Sequence, residues 1–373
     1  MYNIHRNINK RLSIMKYQIN KWEEKALIRT LKIQNSHPFI KQEDKTQIIT
    51  TKHKKKDIYR TRQTHVQETS IISQIIAKNI GFKYTQQLIN ISLLHDIGHA
   101  PDGHEGGSLL NSKMIENGLE EGFSDNNANF EVILNNNIEL SDYELASIVK
   151  REDKLYDYQK EYLLPKIKKA LDYERKEWGK NKKRTMASLI MDLADEISYA
   201  FSDFIDGYTL GYTEFTSFEF INSLILKSKN KKTTKLLKKI KYEIVAKKSK
   251  KELRDLISKL RILFIQSVYF DKKLGVLRMI DNKEDLLKDI IEFNFFKFIK
   301  HPKLLKERNE ILVYLEKYIN FILKNEYFPS DSYKEKYLKA KTKKEKLRIM
   351  RNMIGDTTDS YVINFVQTNI EIY

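Results

Sequence analysis

The segment "TMASLIMDLADEISYAFSDFIDG" (185–207) constrains the fold more than any other stretch, because no proline interrupts it and its first glycine is Gly207. At about 100° per residue, Ile190, Leu193, Ala194, Ile197, Ala200, Phe201, Phe204 and Ile205 fall on one broad face. Asp192, Asp195, Glu196, Tyr199, Asp203 and Asp206 fall on the other. This spacing predicts a long helix with an apolar side against a core. Much of the chain permits the same structure. It has 12 glycines and 5 prolines in 373 residues, against roughly 12% for the two together in average usage. "ETSIISQIIAKNIG" predicts a second helix, with Ile72, Ile75, Ile76 and Ile80 on one side and Gly81 as its stop. "TQQLINISLLHDIGH" predicts a third, breaking at Gly98 and the Ala100–Pro101 step. Another runs from near His104 to near Gly118, and beyond Tyr143 nearly continuous helices are expected. Only 37–63 reads as irregular, with "TQIITT" as a short strand. The expected architecture is an all-α globule. No internal repeat or disordered linker divides it, so 1–373 reads as one unit.

A formal charge of +18 suits polyanionic partners such as nucleic acid, anionic membrane or nucleotides. The densest contribution is 227–261, where Leu236, Leu237, Ile240, Ile244, Leu253, Leu256, Ile257 and Leu260 recur at helical spacing with lysines between them. That pattern fits two amphipathic helices with solvated lysine faces, and also a nucleotide or nucleic-acid surface. The absence of cysteine excludes disulfides and thiolate–zinc sites. No run approaches the ~18 apolar residues of a spanning helix, and the first twenty residues lack a signal-peptide core. A cytoplasmic protein without membrane attachment is expected.

Three of the eight histidines lie in "LLHDIGHAPDGH" (93–104). His95 and Asp96, with His65 at the start of the second helix and an aspartate of the 185–207 helix, make a two-histidine, two-carboxylate set. Mixed imidazole and carboxylate ligands suit Mn²⁺, Fe²⁺, Co²⁺, Ni²⁺ or Zn²⁺ and tolerate Mg²⁺. Adjacent ligands such as His95 and Asp96 point about 100° apart on a helix, so they share a metal only near a helix end. The acidic stripe of 185–207 is also what an ordinary solvated face looks like. Yet it is almost purely acidic in a basic protein, and like charges at i,i+4 oppose the helix by a few tenths of a kcal/mol. A facing metal or cationic side chain would remove that penalty.

The order H…HD…D resembles the HD-domain superfamily of metal-dependent phosphohydrolases, and within it the deoxyguanosine triphosphate triphosphohydrolase (dGTPase) branch, which cleaves dNTPs to deoxynucleoside and triphosphate. "DKTQII" (44–49) is similar to that branch's D-K-T-Q-V, and "RTRQTHVQE" (60–68) to R-T-R-L-T-H-S-L-E. "HDIGHAPDGH" resembles H-D-I-G-H-P-P-F-G-H, and "MDLADEISYAFSDF" resembles M-D-L-A-D-D-I-A-Y-S…D. "IGDTTDSY" (354–361) is similar to I-A-G-M-T-D-R-Y. The resemblance implies an HD core over about 45–210 holding the metal, and a helical C-terminal part over about 211–373 completing the pocket. It implies His65, His95, Asp96 and Asp195 as ligands of a divalent metal, with Mn²⁺ or Mg²⁺ expected. Arg62 would hold a phosphate oxygen, while Gln47 and Asp203 would meet the sugar 3′-hydroxyl. Tyr199 would lie beneath the deoxyribose and Tyr361 would be a further substrate contact. His104 would be the catalytic histidine at the triphosphate, with His99 and Asn126 beside it. The implied partners are a dNTP substrate, further copies of the chain (relatives are often hexamers), and an allosteric nucleotide or single-stranded DNA. The implied role is dNTP-pool control or defence against phage.

Two blocks depart from this pattern. G-H-P-P-F-G-H-x-G-E reads "GHAPDGHEGG" (98–107), so Gly107 stands where the branch has an acid, and Glu105 sits one residue after His104. On a helix, i+3 returns to the histidine's side and i+1 does not. The F-E-G-N-A-Q-like block reads "FSDNNANFE" (123–131), keeping Phe123 and Asn126. Two other readings fit these residues: a phosphohydrolase of another nucleotide, or a catalytically weak binder of nucleotide or single-stranded DNA through 227–261.

Overall fold

The computed structural model describes residues 21–48, 60–149, 152–179, 183–247 and 249–370. The first twenty residues, the second half of "TQIITT" (49–51) and residues 57–59 ahead of Arg60 lie outside them. Helices make up 76% of the structure.

The N-terminal part comprises α1 (Lys21–Gln34), α2 (His37–Lys41), α3 (Arg62–Ile80), α4 (Thr85–Leu94), α5 (Gly103–Glu116), α6 (Asp125–Asn135), α7 (Asp142–Ile148) and α8 (Asp157–Trp178). The long α9 (Met186–Thr209) follows, then α10 (Glu214–Lys227), α11 (Lys231–Ala246) and α12 (Lys250–Ile265). After a hairpin of β1 (Val268–Asp271) and β2 (Val276–Met279) come α13 (Lys283–Asn294), α14 (Pro302–Asn325), α15 (Asp331–Lys339), α16 (Lys343–Gly355) and α17 (Asp359–Asn369).

Local signals act as their chemistry dictates. Thr61 and Thr64 form a reciprocal capping box at the start of α3, and Gly81 ends that helix in the left-handed region at φ 77°. Thr185 accepts from the Ser188 N–H at the start of α9. The apolar face of α9 is buried as the spacing predicts, except that Leu193 is only partly covered.

The expectations differ from the structure in three places. Helix α4 ends at Leu94, earlier than the expected break at Gly98. The β1–β2 hairpin was not foreseen. Its strands are four residues each, and the turn is set by Asp271, which accepts from the N–H groups of Lys273 and Leu274. Within the described part of "TQIITT", only Thr46 pairs in a β-bridge, with Thr61.

Two large apolar clusters, with a small third at Phe298 and Leu304, fill the interior among the described residues. The larger surrounds α9 and draws on α3, α4, α7, α8 and α10–α13. The smaller joins α5 to α14, α16 and α17 through Leu110, Met114, Leu315, Ile319, Ile354 and Val366. The 95–103 turn runs between them against the start of α6. Gly98 N–H donates to Asn129 Oδ1 at 2.7 Å, and Asn129 Nδ2 donates to the His95 carbonyl at 2.5 Å. A Cβ on Gly98 would lie 2.2 Å from the Asn129 nitrogen and 2.3 Å from the Ala128 carbonyl carbon, both backbone atoms that cannot yield cheaply. Gly98→Ala is therefore expected to cost about 1–3 kcal/mol, read as a lower urea midpoint at unchanged slope. A midpoint equal to wild type would contradict this close approach.

Candidate active site

His65 stands in the first turn of α3, on a side of the helix fixed by the Thr61 cap. Its Nδ1 is 3.5 Å from Ser198 Oγ, which donates to Glu68 Oε2 at 2.8 Å. The hydroxyl hydrogen is thus committed to Glu68, and His65 Nδ1 carries the proton that Ser198 accepts. Glu68 is in turn held by Arg60 and Arg261. Burial pushes its carboxyl up, but these two guanidiniums outweigh that and keep it below the usual range.

His95 follows the last residue of α4, and its Nδ1 lies 2.8 Å from the Ser92 carbonyl. A carbonyl can only accept, so the proton is on Nδ1 and Nε2 presents a lone pair. The Nε2 atoms of both histidines point toward carboxylates. His65 Nε2 is 2.9 Å from Asp195 Oδ1 and 3.8 Å from Asp96 Oδ2. His95 Nε2 is 3.4 Å from Asp96 Oδ1 and 3.5 Å from Asp195 Oδ1. His65 Nε2 is buried and makes no hydrogen bond. Lone pairs of four acceptors facing one another repel unless a cation lies between them, and this donor set fits a divalent metal. The early end of α4 makes this possible, since His95 and Asp96 leave the helix before their side chains diverge. Asp96 also accepts from Arg62 Nη1 at 2.9 Å. Burial pushes the Asp96 carboxyl up, but His95, His99 and Arg62 prevail and hold it well below the carboxylate range.

The metal group forms one end of a cavity of about 840 Å³. Asp195, Tyr199 and Asp203 line one wall from successive turns of α9, with Gln47 also in the lining. Gln47 Oε1 and Asp203 Oδ1 are buried there without a hydrogen-bond partner among the described residues. Burial, with Asp206 nearby, pushes the Asp203 carboxyl well above its ordinary range. His99 and His104 also line the cavity with ring centroids 4.9 Å apart, His99 Nδ1 lying 3.6 Å from Asp96 Oδ1. His99 is buried and pushed down to about 3 by burial, with Arg62 adding to it, so it is neutral near pH 7. The His104 side chain is 80% exposed. Asn126 is exposed and also lines the cavity.

Two expected contacts lie elsewhere. Arg62 is fully buried beneath the Gly103 turn with its charge directed to Asp96, so it stands behind the cavity wall. Tyr361 does not line the cavity, because its ring packs on Tyr318 and Phe365 in the C-terminal cluster. The same C-terminal block contributes Asp359, which accepts from Thr46 N–H and Oγ1 (both 2.9 Å) and from Asp102 N–H (3.0 Å). Sequence reasoning missed Asp359 and also Asp125, which faces both His99 and His104. For Asp125 a signal existed: an acid within the 123–131 block already singled out. Glu105 turns away from His104, toward Lys300 and Arg308, each at 3.8 Å. The lysine-rich stretch forms α11 and α12, whose lysines border a separate concavity of about 820 Å³ sharing no residue with the first.

Two measurements test this geometry. Purified protein should carry about one equivalent of divalent metal by mass spectrometry, falling at least about tenfold in Asp195→Ala; an undiminished metal content would refute the ligand set. Asp203 has a folded pKa raised above its unfolded value, so the folded state binds the extra proton and stability falls as pH rises above about 4. In metal-free protein, Asp203→Asn should lose less stability than wild type between about pH 4 and 7, and parallel pH–Tm curves would contradict the assignment.

No family model matches the chain. A deoxyguanosinetriphosphate triphosphohydrolase-like protein of Wolinella succinogenes is 30% identical over 203 residues, 51% of this chain and 52% of that protein. One of Leptospira interrogans is 31% identical over 163 residues, 41% of this chain and 38% of that protein. The matched stretches thus span about half or less of these two curated relatives. A Rickettsia typhi protein of the same name is 26% identical over 358 residues, 89% of this chain and 88% of its own length. A crystal structure of a hypothetical protein from Aquifex aeolicus covers 92% of this chain and 68% of its own at 15% identity and TM-score 0.44. The chain is thus similar, at about 30% identity over half its length and 26% over most of it, to proteins named dGTPase-like.

Proposed function

We propose that the chain hydrolyses deoxynucleoside triphosphates to deoxynucleoside and inorganic triphosphate, by attack of water on the α-phosphorus. The observation that carries this reading is the α9 wall, where Asp195 of the metal group, Tyr199 and Asp203 succeed one another at i, i+4 and i+8 opposite Gln47. The names of the similar proteins support a nucleotide triphosphohydrolase.

His65, His95, Asp96 and Asp195 would hold the divalent cation, Mn²⁺ or Mg²⁺. When bound, the cation would polarise a phosphate oxygen and favour ionisation of water at the site. The chain's own residues do the rest. The ring of Tyr199 forms a flat floor for a deoxyribose. Gln47 Oε1 and Asp203 Oδ1, buried without a partner among the described residues, fit a sugar hydroxyl, and the upward push on the Asp203 carboxyl favours a protonated, donating form. His104, exposed at the cavity and facing Asp125, exchanges the proton with the reacting group. Neutral His99 adds a polar contact without repelling a cation. Lys300 and Arg308, together with the N-terminus of α5, offset triphosphate charge. Arg62 acts indirectly, by holding Asp96 ionised.

The test is a panel of dNTPs and rNTPs with Mn²⁺ or Mg²⁺, products resolved by chromatography. Intact triphosphate plus deoxynucleoside is expected, with rates lowered about 100-fold or more in His104→Ala and abolished in Asp96→Ala. Tyr199→Ala should narrow the preference for dNTPs over rNTPs. Release of monophosphate and pyrophosphate, or no consumption of any nucleotide even with a second dNTP present, would refute the reading.

A further inference from the structure

The helix carrying His104 has no acid on the histidine's side one turn on, because position 107 is glycine. A Cβ built on Gly107 would lie 3.1 Å from Asp125 Oδ1 and 3.3 Å from Asp125 Oδ2. The space a side chain at 107 would enter is therefore already filled by a carboxylate from another helix. Asp125 is the first residue of α6, and its side chain is 18% exposed. Oδ1 accepts from the Ala100 N–H at 3.4 Å, which ties it to the turn before His104. Oδ2 lies 3.3 Å from His104 Nδ1 and 3.7 Å from His99 Nε2. Although burial pushes its carboxyl up, His99 and His104 hold it down at about 2, so the group is ionised at any working pH.

We infer that Asp125 is the positioning acid of His104, supplied from α6 because α5 carries none. The inference rests on the function proposed above only for what His104 does, not for which group orients it. A carboxylate can only accept, so Asp125 takes the Nδ1–H of His104 and leaves Nε2 as the proton-exchanging end of the ring. Without that bond the imidazole, mostly in solvent, samples both tautomers and several rotamers, and only a fraction is poised for proton transfer. The close approach also requires glycine at 107. The two positions form one unit: a missing side chain on α5 and an acid on α6 that occupies its volume.

The experiment compares wild type, Asp125→Ala and the double variant Asp125→Ala/Gly107→Asp, which returns a carboxylate to the same space from α5. Three quantities are read: steady-state dNTP kinetics, metal content, and the ¹⁵N signals of the His104 ring, assigned with His104→Gln. Asp125→Ala should lower kcat about 10–100-fold with KM changed less than about threefold. It should keep its metal and lose the Nδ1–H signature of His104. The double variant should regain part of the lost kcat together with that signature. Unchanged kcat in Asp125→Ala would overturn the inference. So would a wild type holding two metal equivalents of which Asp125→Ala loses one, since the carboxylate would then be a metal ligand. A double variant with wild-type Tm that recovers neither kcat nor signature would also overturn it. Should wild type consume no dNTP, the substrate reading fails by itself; the ring signals then decide, and a His104 spectrum indifferent to Asp125→Ala would refute the positioning role.

Discussion

Two imidazole lone pairs and two carboxylates face one another in the protein interior, and much of the architecture is arranged around that unfavourable meeting. Asp96 and Arg62 are buried as a pair, and breaking such a pair from one side typically costs 3–5 kcal/mol even though the intact pair adds little stability. The free energy that holds these groups in place comes from elsewhere, from the apolar face of α9 and the helices packed on it. Ser198 illustrates the economy of the arrangement. It sits on the helix that carries Asp195, accepts from His65 Nδ1 and donates to Glu68, so one hydroxyl sets the tautomer of a ligand whose partner lies three residues away.

The C-terminal helices reach the site by a different route. None of the four metal-group residues comes from beyond Asp195, yet Asp359 holds Thr46 and Asp102 with its two oxygens. Lys45, buried and pushed down to about 8 by that burial, donates to the carbonyls of His99 (2.5 Å) and Gly355 (2.9 Å). Arg308 of α14 donates to the Ile48 carbonyl at 2.9 Å while lining the cavity. The segment 45–48, which bears Gln47, is thus clamped by groups some 260–315 residues further along the chain. The smaller apolar cluster behind these bonds keeps the α5 end of the cavity in register with the α9 end.

The two ends of the cavity differ in electrostatics for physical reasons. Along α9, burial first and then the neighbouring Asp206 push the Asp203 carboxyl well above its ordinary range. At the α5 end, imidazoles surround Asp96 and Asp125 and both stay ionised. Under the proposed function, the Asp203 side of the cavity would take the uncharged sugar and the histidine-rich side the reacting phosphate.

Periodicity determined the helical class, the buried face of α9 and the stops at Gly81 and near Gly118, because these depend on contacts within one or two turns. Ligand types near helix ends drew attention to His65, His95 and Asp96, while only the family resemblance singled out Asp195 from the acidic stripe of α9. Tertiary structure alone decided the rest. Arg62 is buried outside the cavity lining, with its guanidinium on Asp96. Tyr361 stays partly in solvent away from the cavity, its ring beside those of Tyr318 and Phe365. Asp125 came to stand in the volume beside Gly107, and Asp359 to clamp Thr46, through helix packing between segments distant along the chain. A pattern of residues records which side of a helix is apolar. It does not record which other helix will fill the space beside a glycine, since that is set by packing over long sequence separations.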